Sequence, residues 1–457
     1  MKYHIWTEGC QMNVADSQRL ASALEKLGYQ YSEIIEEADV IVLNTCMVRQ
    51  SAEDKALGRL SSLKPVKLKN PDLILGLMGC MVGYRDNAEI RKRLPYVDVF
   101  APPSNPKPII DYLLEKEYVG DRADGKERAL PAVWNPAQLT LPRRERNRAV
   151  GAYVPIVYGC SHACAYCIIP YKRGIERSRD PQEILDHVES LAAQGITEIT
   201  LLGQIVDRYG LDDPAYPTLA GLLRRIHAVE GIRRIRFLTS HPNYLTDELL
   251  EAVRDLPKVM RHIEVPAQAG NDDVLKRMRR GYGDQAYRAL VDKIRATVPG
   301  VSIGTDIIVG FPGETEAQFE DTLAQLRDLK LNVVHLARYS PRMGTLSERT
   351  MPDDVGEEEK WRRFRAVEEL QEGIAAELHS RFLGRTVEVL FEEKKRDRWV
   401  GRTENMDLVY AESESDLTGR YLPVRIDWTG PWTMIGTVIS SERPDGKAAQ
   451  RDAGKSG

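Results

Sequence analysis

The sequence is short of cysteine, of long apolar runs and of any excess of positive charge. Its 457 residues include six cysteines. No apolar run approaches the ~18 residues that a membrane span needs. The opening "MKYHIWTEGC" lacks the apolar core of a secretion signal. Lys and Arg number 64 against 68 Asp and Glu, a formal net charge of −4, so no global basic field points to nucleic acid. Contacts to RNA or DNA would have to come from local patches. These absences predict a soluble, cytoplasmic protein with no membrane anchor. In such a chain the cysteines argue for metal binding or catalysis over disulfides. What is abundant is ordinary: 42% of residues are hydrophobic, enough for about three domains at ~150 residues each.

One further absence is local. The stretch "VYGCSHACAYCIIPYKRG" carries Cys160, Cys164 and Cys167 at C-x-x-x-C-x-x-C spacing, with no fourth cysteine beside them. Structural zinc sites and ordinary iron–sulfur sites take four protein ligands. Zinc is the weaker rival, because His162 sits too close in the loop to complete a tetrahedron easily.

The patterning predicts three domains. Residues 1–118 alternate apolar runs ("YHIW", "VIVLN", "LILGLM", "VDVF") with helical segments, an N-terminal doubly wound parallel-sheet domain. Residues 119–145 are charged, rich in Pro and Gly and without period, a linker. From 146 to 380 six strand-like runs recur with helices between them: "YVPIVYG", "EITLLGQ", "RIRFLTS", "RHIEVP", "SIGTDIIVG" and "VVHLARYS". Six units predict a partial (β/α)6 barrel; a full eight-unit barrel is the alternative, but the sequence does not supply two more units. Asp180 is expected to cap the first long helix, with Pro181 next and Glu183 closing a capping box. Residues 381–442 read as a small all-β barrel, and 443–457 as a disordered tail.

The other three cysteines, Cys10, Cys46 and Cys80, each close an apolar strand: "YHIWTEGC", "VIVLNTC", "LILGLMGC". Parallel strands end at one edge, where ligands bind, so three thiols distant in sequence can converge there. Three buried structural cysteines is the plainer alternative. The second trio follows the first barrel strand, again at a carboxyl end, where barrel active sites lie. Polar residues at the ends of later strands, Gln204, Ser240, His241, Gln268, Asp306 and Arg338, mark the same face. The Gly-rich "IIVGFPGET" (Ile307–Thr315) is not a dinucleotide fingerprint and could bring backbone close to a ligand.

Three thiolates on a four-iron cluster leave one iron open, able to chelate the amino and carboxylate groups of S-adenosylmethionine. The loop motif, at its place on a barrel, resembles the radical SAM superfamily. Over residues 1–441 the chain resembles the methylthiotransferases. Their parts are an N-terminal domain with three cluster cysteines, a radical SAM barrel and a C-terminal TRAM module that binds RNA. "TEGCQMNVADSQ", "NTCMVRQSA", "RGIERSR" and "TSHP" resemble the branch that acts on isopentenylated adenosine in tRNA. The pair Gln11-Met12 separates it from the branches that act on a ribosomal-protein aspartate or on threonylcarbamoyl-adenosine, which stay as alternatives.

The resemblance implies two [4Fe–4S] clusters, on Cys160, Cys164 and Cys167 and on Cys10, Cys46 and Cys80, with S-adenosylmethionine as cofactor. It implies methylthiolation at C2 of N6-isopentenyladenosine next to the anticodon, with a flavodoxin or ferredoxin as electron donor and neither membrane nor DNA as partner. Tyr166 is expected at the adenine, Glu176, Ser178 and Arg179 at the methionine or ribose end, and Gln204, Ser240, Gln268 and Asp306 around the cofactor. The sequence departs from that branch at Ile205, Ala267 and Ala269, positions expected to line the barrel mouth. "KKRDRWVGR" (394–402), with Trp399 inside, "RRERNR" (143–148) and "KRMRRGYG" (276–283) are the expected RNA contacts.

Overall fold

The computed structural model describes residues 1–85, 88–121, 139–146 and 148–439. Residues 122–138 of the expected linker and the whole expected tail lie outside the described residues. The chain divides into two compact units, 1–378 and 379–457.

The first unit opens with five strands: β1 (Lys2–Thr7), β2 (Gln30–Tyr31), β3 (Val40–Thr45), β4 (Ile74–Gly79) and β5 (Val99–Ala101). They pair in parallel in the order β2-β1-β3-β4-β5. Every residue of β3 and β4 is buried, as their unbroken apolar runs require for a sheet covered on both faces. Helices Gln11–Lys26 and Lys107–Asp121 cover one face, helix Gln50–Lys69 the other. The strand order reverses between β1 and β3, so the crevice at their carboxyl ends is the expected place for a ligand.

The six expected barrel strands are present. They are β6 (Gly151–Pro155), continued by β7 (Val157–Tyr158), then, beyond β8 (Arg177–Ser178), β9 (Glu198–Leu202), β10 (Arg234–Phe237), β11 (His262–Glu264), β12 (Ser302–Val309) and β13 (Val333–Arg338). They form two parallel three-stranded sheets, β6-β9-β10 and β11-β12-β13. A parallel bridge between Ile235 and Val259, and the Ser240 N–H donating to the Glu264 carbonyl at 3.1 Å, link the two into one arc. The arc is a partial barrel whose interior and helix-facing sides share one large apolar core. Asp180 caps helix Pro181–Ala193 by accepting from the backbone N–H groups of Gln182 and Glu183. The reciprocal box forms instead at Thr315 and Gln318.

The second unit holds five strands: β14 (Thr386–Lys395), β15 (Arg398–Arg402), β16 (Leu408–Ala411), β17 (Tyr421–Thr429) and β18 (Met434–Val438). They close a barrel in the order β14-β15-β16-β18-β17. Closure removes free sheet edges, which suits so small a β module.

Two expectations about side chains need correction. Ala267 and Ala269 do not line the barrel mouth. They are fully buried in the wall, Ala267 in the main core and Ala269 against Phe311 and Met278. Trp399 is not presented for stacking: it is 6% exposed, belongs to the core of the second barrel and donates its Nε1 to the Ser413 carbonyl at 3.2 Å. Small barrels fill their interior with side chains, and a large aromatic on a central strand serves that need first.

Candidate metal centres and cofactor site

Cys10, Cys46 and Cys80 follow β1, β3 and β4, three neighbouring strands of the N-terminal sheet. Glycines let their loops approach. A Cβ on Gly9 would lie 2.5 Å from Cys46 Cβ and 3.3 Å from its Sγ. A Cβ on Gly79 would lie 2.4 Å from the Thr45 carbonyl oxygen, and both glycines have positive φ, +129° and +101°. The Cys46 thiol is pushed up to about 11 by burial, with Cys80 and Cys10 adding to the rise. Cys80 is raised for the same first reason. The three thiols thus share one buried crevice.

Cys160, Cys164 and Cys167 lie on the single loop after β7. The antiparallel pairing of β7 with β8, Val157 with Ser178 and Tyr158 with Arg177, closes that loop at its base. Gly159, at φ +67°, is required there, since a Cβ would meet the Ile175 carbonyl oxygen at 2.1 Å. Burial pushes Cys160 up to about 11 and Cys167 up to about 12, and the neighbouring thiols add to both. The His162 N–H donates to Cys160 Sγ at 3.4 Å. Arg280 Nη1 donates to Cys164 Sγ at 3.1 Å. Arg280 therefore serves this loop from a buried position and is not one of the expected phosphate contacts of "KRMRRGYG".

All six cysteines are free. Among the described residues no three His, Cys, Asp or Glu side chains close on one ion position. The His162 ring is engaged by other rings. It stacks on His241 at 4.4 Å and its Nε2 lies 3.3 Å from the Tyr244 hydroxyl. A cluster asks for something different from a single ion: each thiolate binds its own iron, so three thiols gathered in one crevice fit it.

The remaining expected residues fall into two groups. Tyr166 packs edge-on to Phe311 at 6.3 Å, beside the thiol loop. Ser240 is 1% exposed with its Oγ unpartnered. Gln268 holds a positive φ of 73°, and its N–H donates to the Asp306 carbonyl at 2.8 Å. Asp306 is half-buried and its carboxyl is raised by burial. Gln204 is half-buried at the end of β9. Gln204, Ser240 and Gln268 follow strands β9, β10 and β11, whereas Asp306 lies inside β12 and pairs with His335 in the ladder, not at the expected strand end. Thr239, at φ 69°, adds a second strained non-glycine after β10, and such strain gathers at functional sites.

The second group is engaged by other protein groups. Glu176 accepts from Arg208 Nε through both oxygens at 2.8 Å. Ser178 donates its hydroxyl to Asp212 and accepts from the Gly210 N–H. Arg179 Nη1 donates to the Pro155 carbonyl at 2.7 Å. Arg338 pairs with Glu357 at 2.5 Å and lies 3.7 Å over the Trp361 ring. In "IIVGFPGET", Gly310 makes room for Lys360, whose Cγ a Cβ would meet at 2.4 Å. Ile205 packs in the small cluster with Cys160 and Ile169.

The N-terminal trio borders the barrel. Cys10 and Met12 share an apolar cluster with Tyr158, Leu202 and Leu238, residues at the carboxyl ends of barrel strands. Across the crevice, Arg342 Nη1 donates to Gln50 and Glu53 at 3.1 Å. Sequence reasoning missed Arg280, the His162–His241 stack, Asp207 and two exposed tryptophans. Asp207 accepts from the His241 N–H at 2.9 Å and is pushed up to about 7 by burial. Trp428 and Trp432 of the second unit are 50% and 57% exposed. Trp428 lies near the end of β17 and Trp432 in the turn before β18.

Residues 154–326 match the radical SAM superfamily, and residues 2–102 match Uncharacterized protein family UPF0004. Among curated proteins, the tRNA-2-methylthio-N(6)-dimethylallyladenosine synthase of Roseiflexus sp. (strain RS-1) is 46% identical over 96% of this chain and 90% of its own length. Proteins of the same description from Herpetosiphon aurantiacus and Dictyoglomus thermophilum are each 44% identical over 96% of this chain, covering 97% and 98% of their own length. Among solved structures, the radical S-adenosylmethionine methyltransferase TsrM from Kitasatospora setae, with cobalamin and a [4Fe-4S] cluster bound, superposes with a TM-score of 0.54 at 14% identity. It covers 76% of this chain and 74% of its own, a likeness of fold.

Proposed function

The chain belongs to the tRNA-2-methylthio-N(6)-dimethylallyladenosine synthase family, and from that premise we propose how its two thiol trios divide the work. It is a radical SAM methylthiotransferase, an enzyme that acts on tRNA at C2 of N6-isopentenyladenosine and uses S-adenosylmethionine and [4Fe–4S] clusters. Cys160, Cys164 and Cys167 hold one cluster, and Cys10, Cys46 and Cys80 hold the other. When bound, the first cluster and S-adenosylmethionine supply one-electron chemistry that generates a carbon radical, which ordinary side-chain acids and bases cannot do.

The chain's own residues hold and shield. The β7–β8 pairing fixes the thiol loop as one rigid unit. Arg280 offsets negative charge at Cys164. Ser240, Gln268 and Tyr166 remain at the loop as cofactor contacts, with Gln204 and Asp306 beside them. Glu176, Ser178 and Arg179 act one step back, by fixing Arg208, Asp212 and the end of β6. The N-terminal trio, whose Cys10 packs with residues at the barrel strand ends, serves in this reading as the methylthio donor site. The observation carrying this division is that Cys10 packs against the carboxyl ends of the barrel strands. A base bound in the mouth therefore meets both trios.

The target base must leave the anticodon-loop stack to enter the mouth, as loop bases do when proteins read them. Exposed Lys276 and Arg279 and the exposed arginines Arg143 and Arg148 offer phosphate contacts. In the second unit, Trp428 and Trp432 replace Trp399 as the stacking surface. The basic run of β14 and β15 is partly neutralised, with Lys395 on Glu393 at 2.8 Å and Arg398 on Glu412 at 3.2 Å. A flavodoxin or ferredoxin is the electron donor. The setting is the cytoplasm, where reducing conditions keep six thiols free.

The test is a single-turnover assay. Anaerobically reconstituted protein is given reductant, S-adenosylmethionine and isopentenylated tRNA, and the nucleosides are weighed by mass spectrometry. A methylthio nucleoside is expected. Its absence at full iron content, about eight per chain, rejects the function.

A further inference from the structure

Arg173 lies on the short helix Ile169–Arg173 that follows Cys167, yet its side chain reaches the other trio. It is 7% exposed. Nη2 donates to Asn13 Oδ1 at 2.7 Å and Nη1 to Ser104 Oγ at 3.1 Å. The guanidinium also stands 3.9 Å from Asp16 and is near enough to Cys80 for the two to interact electrostatically. Asn13 Oδ1 faces the Cys10 thiol at 3.7 Å, so one amide joins Arg173 to Cys10.

The charges here do not balance. Asp16 is a buried carboxylate, 1% exposed, whose Oδ2 accepts from the Ser104 N–H and hydroxyl at 3.1 Å. Two buried arginines face it, Arg173 and Arg19, the latter 3% exposed and donating to the Tyr158 hydroxyl. Arg173 Nε, Arg19 Nε and Arg19 Nη2 have no hydrogen-bond partner. A buried, incompletely paired cation is costly. An anionic group seated on the three thiolates removes the imbalance, and a thiolate-held cluster is such a group.

We propose that Arg173 is the positioning residue of the N-terminal trio, supplying positive charge and hydrogen bonds to the group held by Cys10, Cys46 and Cys80 while anchored on the loop of the other trio. The proposal rests on reading those cysteines as cluster ligands. Reduction potentials of clusters follow net charge and hydrogen bonds to sulfur. Loss of a neighbouring cation disfavours the added electron.

The experiment uses the full chain with Cys160→Ala, Cys164→Ala and Cys167→Ala, so that one cluster site remains. Iron content and a redox titration followed by electron paramagnetic resonance are measured with and without Arg173→Met and Arg173→Lys. Expected is a shift of the reduction equilibrium toward the oxidised state of about tenfold for Arg173→Met, about 59 mV for one electron. A smaller shift is expected for Arg173→Lys, which keeps the charge and loses the fork. An unchanged potential in Arg173→Met overturns the proposal and leaves the ligand assignment standing. If the three-alanine chain binds no iron, the ligand assignment itself fails and the proposal falls with it. Should Arg173→Met fail to fold, Ser104→Ala, which loosens the guanidinium without removing it, is expected to shift the potential in the same direction by less. No shift in that variant contradicts the proposal.

Discussion

The two trios solve one problem in opposite ways. Cys160, Cys164 and Cys167 share a single loop, closed at its base by one strand pair with two residue pairs. Cys10, Cys46 and Cys80 share nothing in sequence and meet because three neighbouring parallel strands end together. The first geometry is local and survives as a unit. The second exists only when the whole N-terminal sheet is folded, and it leans on glycines that let one loop touch the next. A local site suits a cofactor that must be chelated identically in many proteins. A dispersed site can be tuned by its surroundings, and here the surroundings include an arginine lent by the loop of the other trio.

Substitutions can break this contrast, in decreasing order of effect. Cys164→Ala is expected to abolish both 5′-deoxyadenosine and methylthio product, while about half the iron remains. Iron analysis with nucleoside mass spectrometry checks this. Cys46→Ala is expected to lose the methylthio product yet keep S-adenosylmethionine cleavage, read as 5′-deoxyadenosine by chromatography. Gly79→Ala, which would press a methyl against the Thr45 carbonyl at positive φ, should cost about 1–3 kcal/mol locally. It should lower iron at the N-terminal trio alone. Gly159→Ala should do the reverse and empty the loop trio, as iron counts in single-trio backgrounds would show. Arg280→Met removes one donor to Cys164 and should weaken cluster retention at the loop by about five- to a hundredfold, on the scale of about 1–3 kcal/mol for a buried partner left unpaired. Iron loss against a chelator measures it.

The contrast also explains what the sequence could disclose. A motif of three cysteines on one loop can be read by eye. The N-terminal trio was legible only through strand periodicity, because each cysteine ends an apolar run. Strand ends were equally legible: Ser240 and Gln268 sit just beyond β10 and β11 as expected, while Asp306 falls inside β12. Partners of side chains were not. Ser178 and Arg179 stand in a motif that suggests a ligand, yet Asp212 and the Pro155 carbonyl take them. Arg173 and Arg280 look like surface charges in basic stretches, and only the fold turns them inward. Trp399 sits among five positive residues, but its strand faces it into a barrel core. Ala267 and Ala269 follow β11, flank Gln268 and are buried in the wall.

The most direct measurement is an iron count on three anaerobically reconstituted chains. One is intact, one carries alanine at Cys160, Cys164 and Cys167, and one carries alanine at Cys10, Cys46 and Cys80. Two independent trios give about eight, four and four irons per chain. A count that falls to zero in both substituted chains would mean a single shared site, and would contradict the division of labour described for this enzyme.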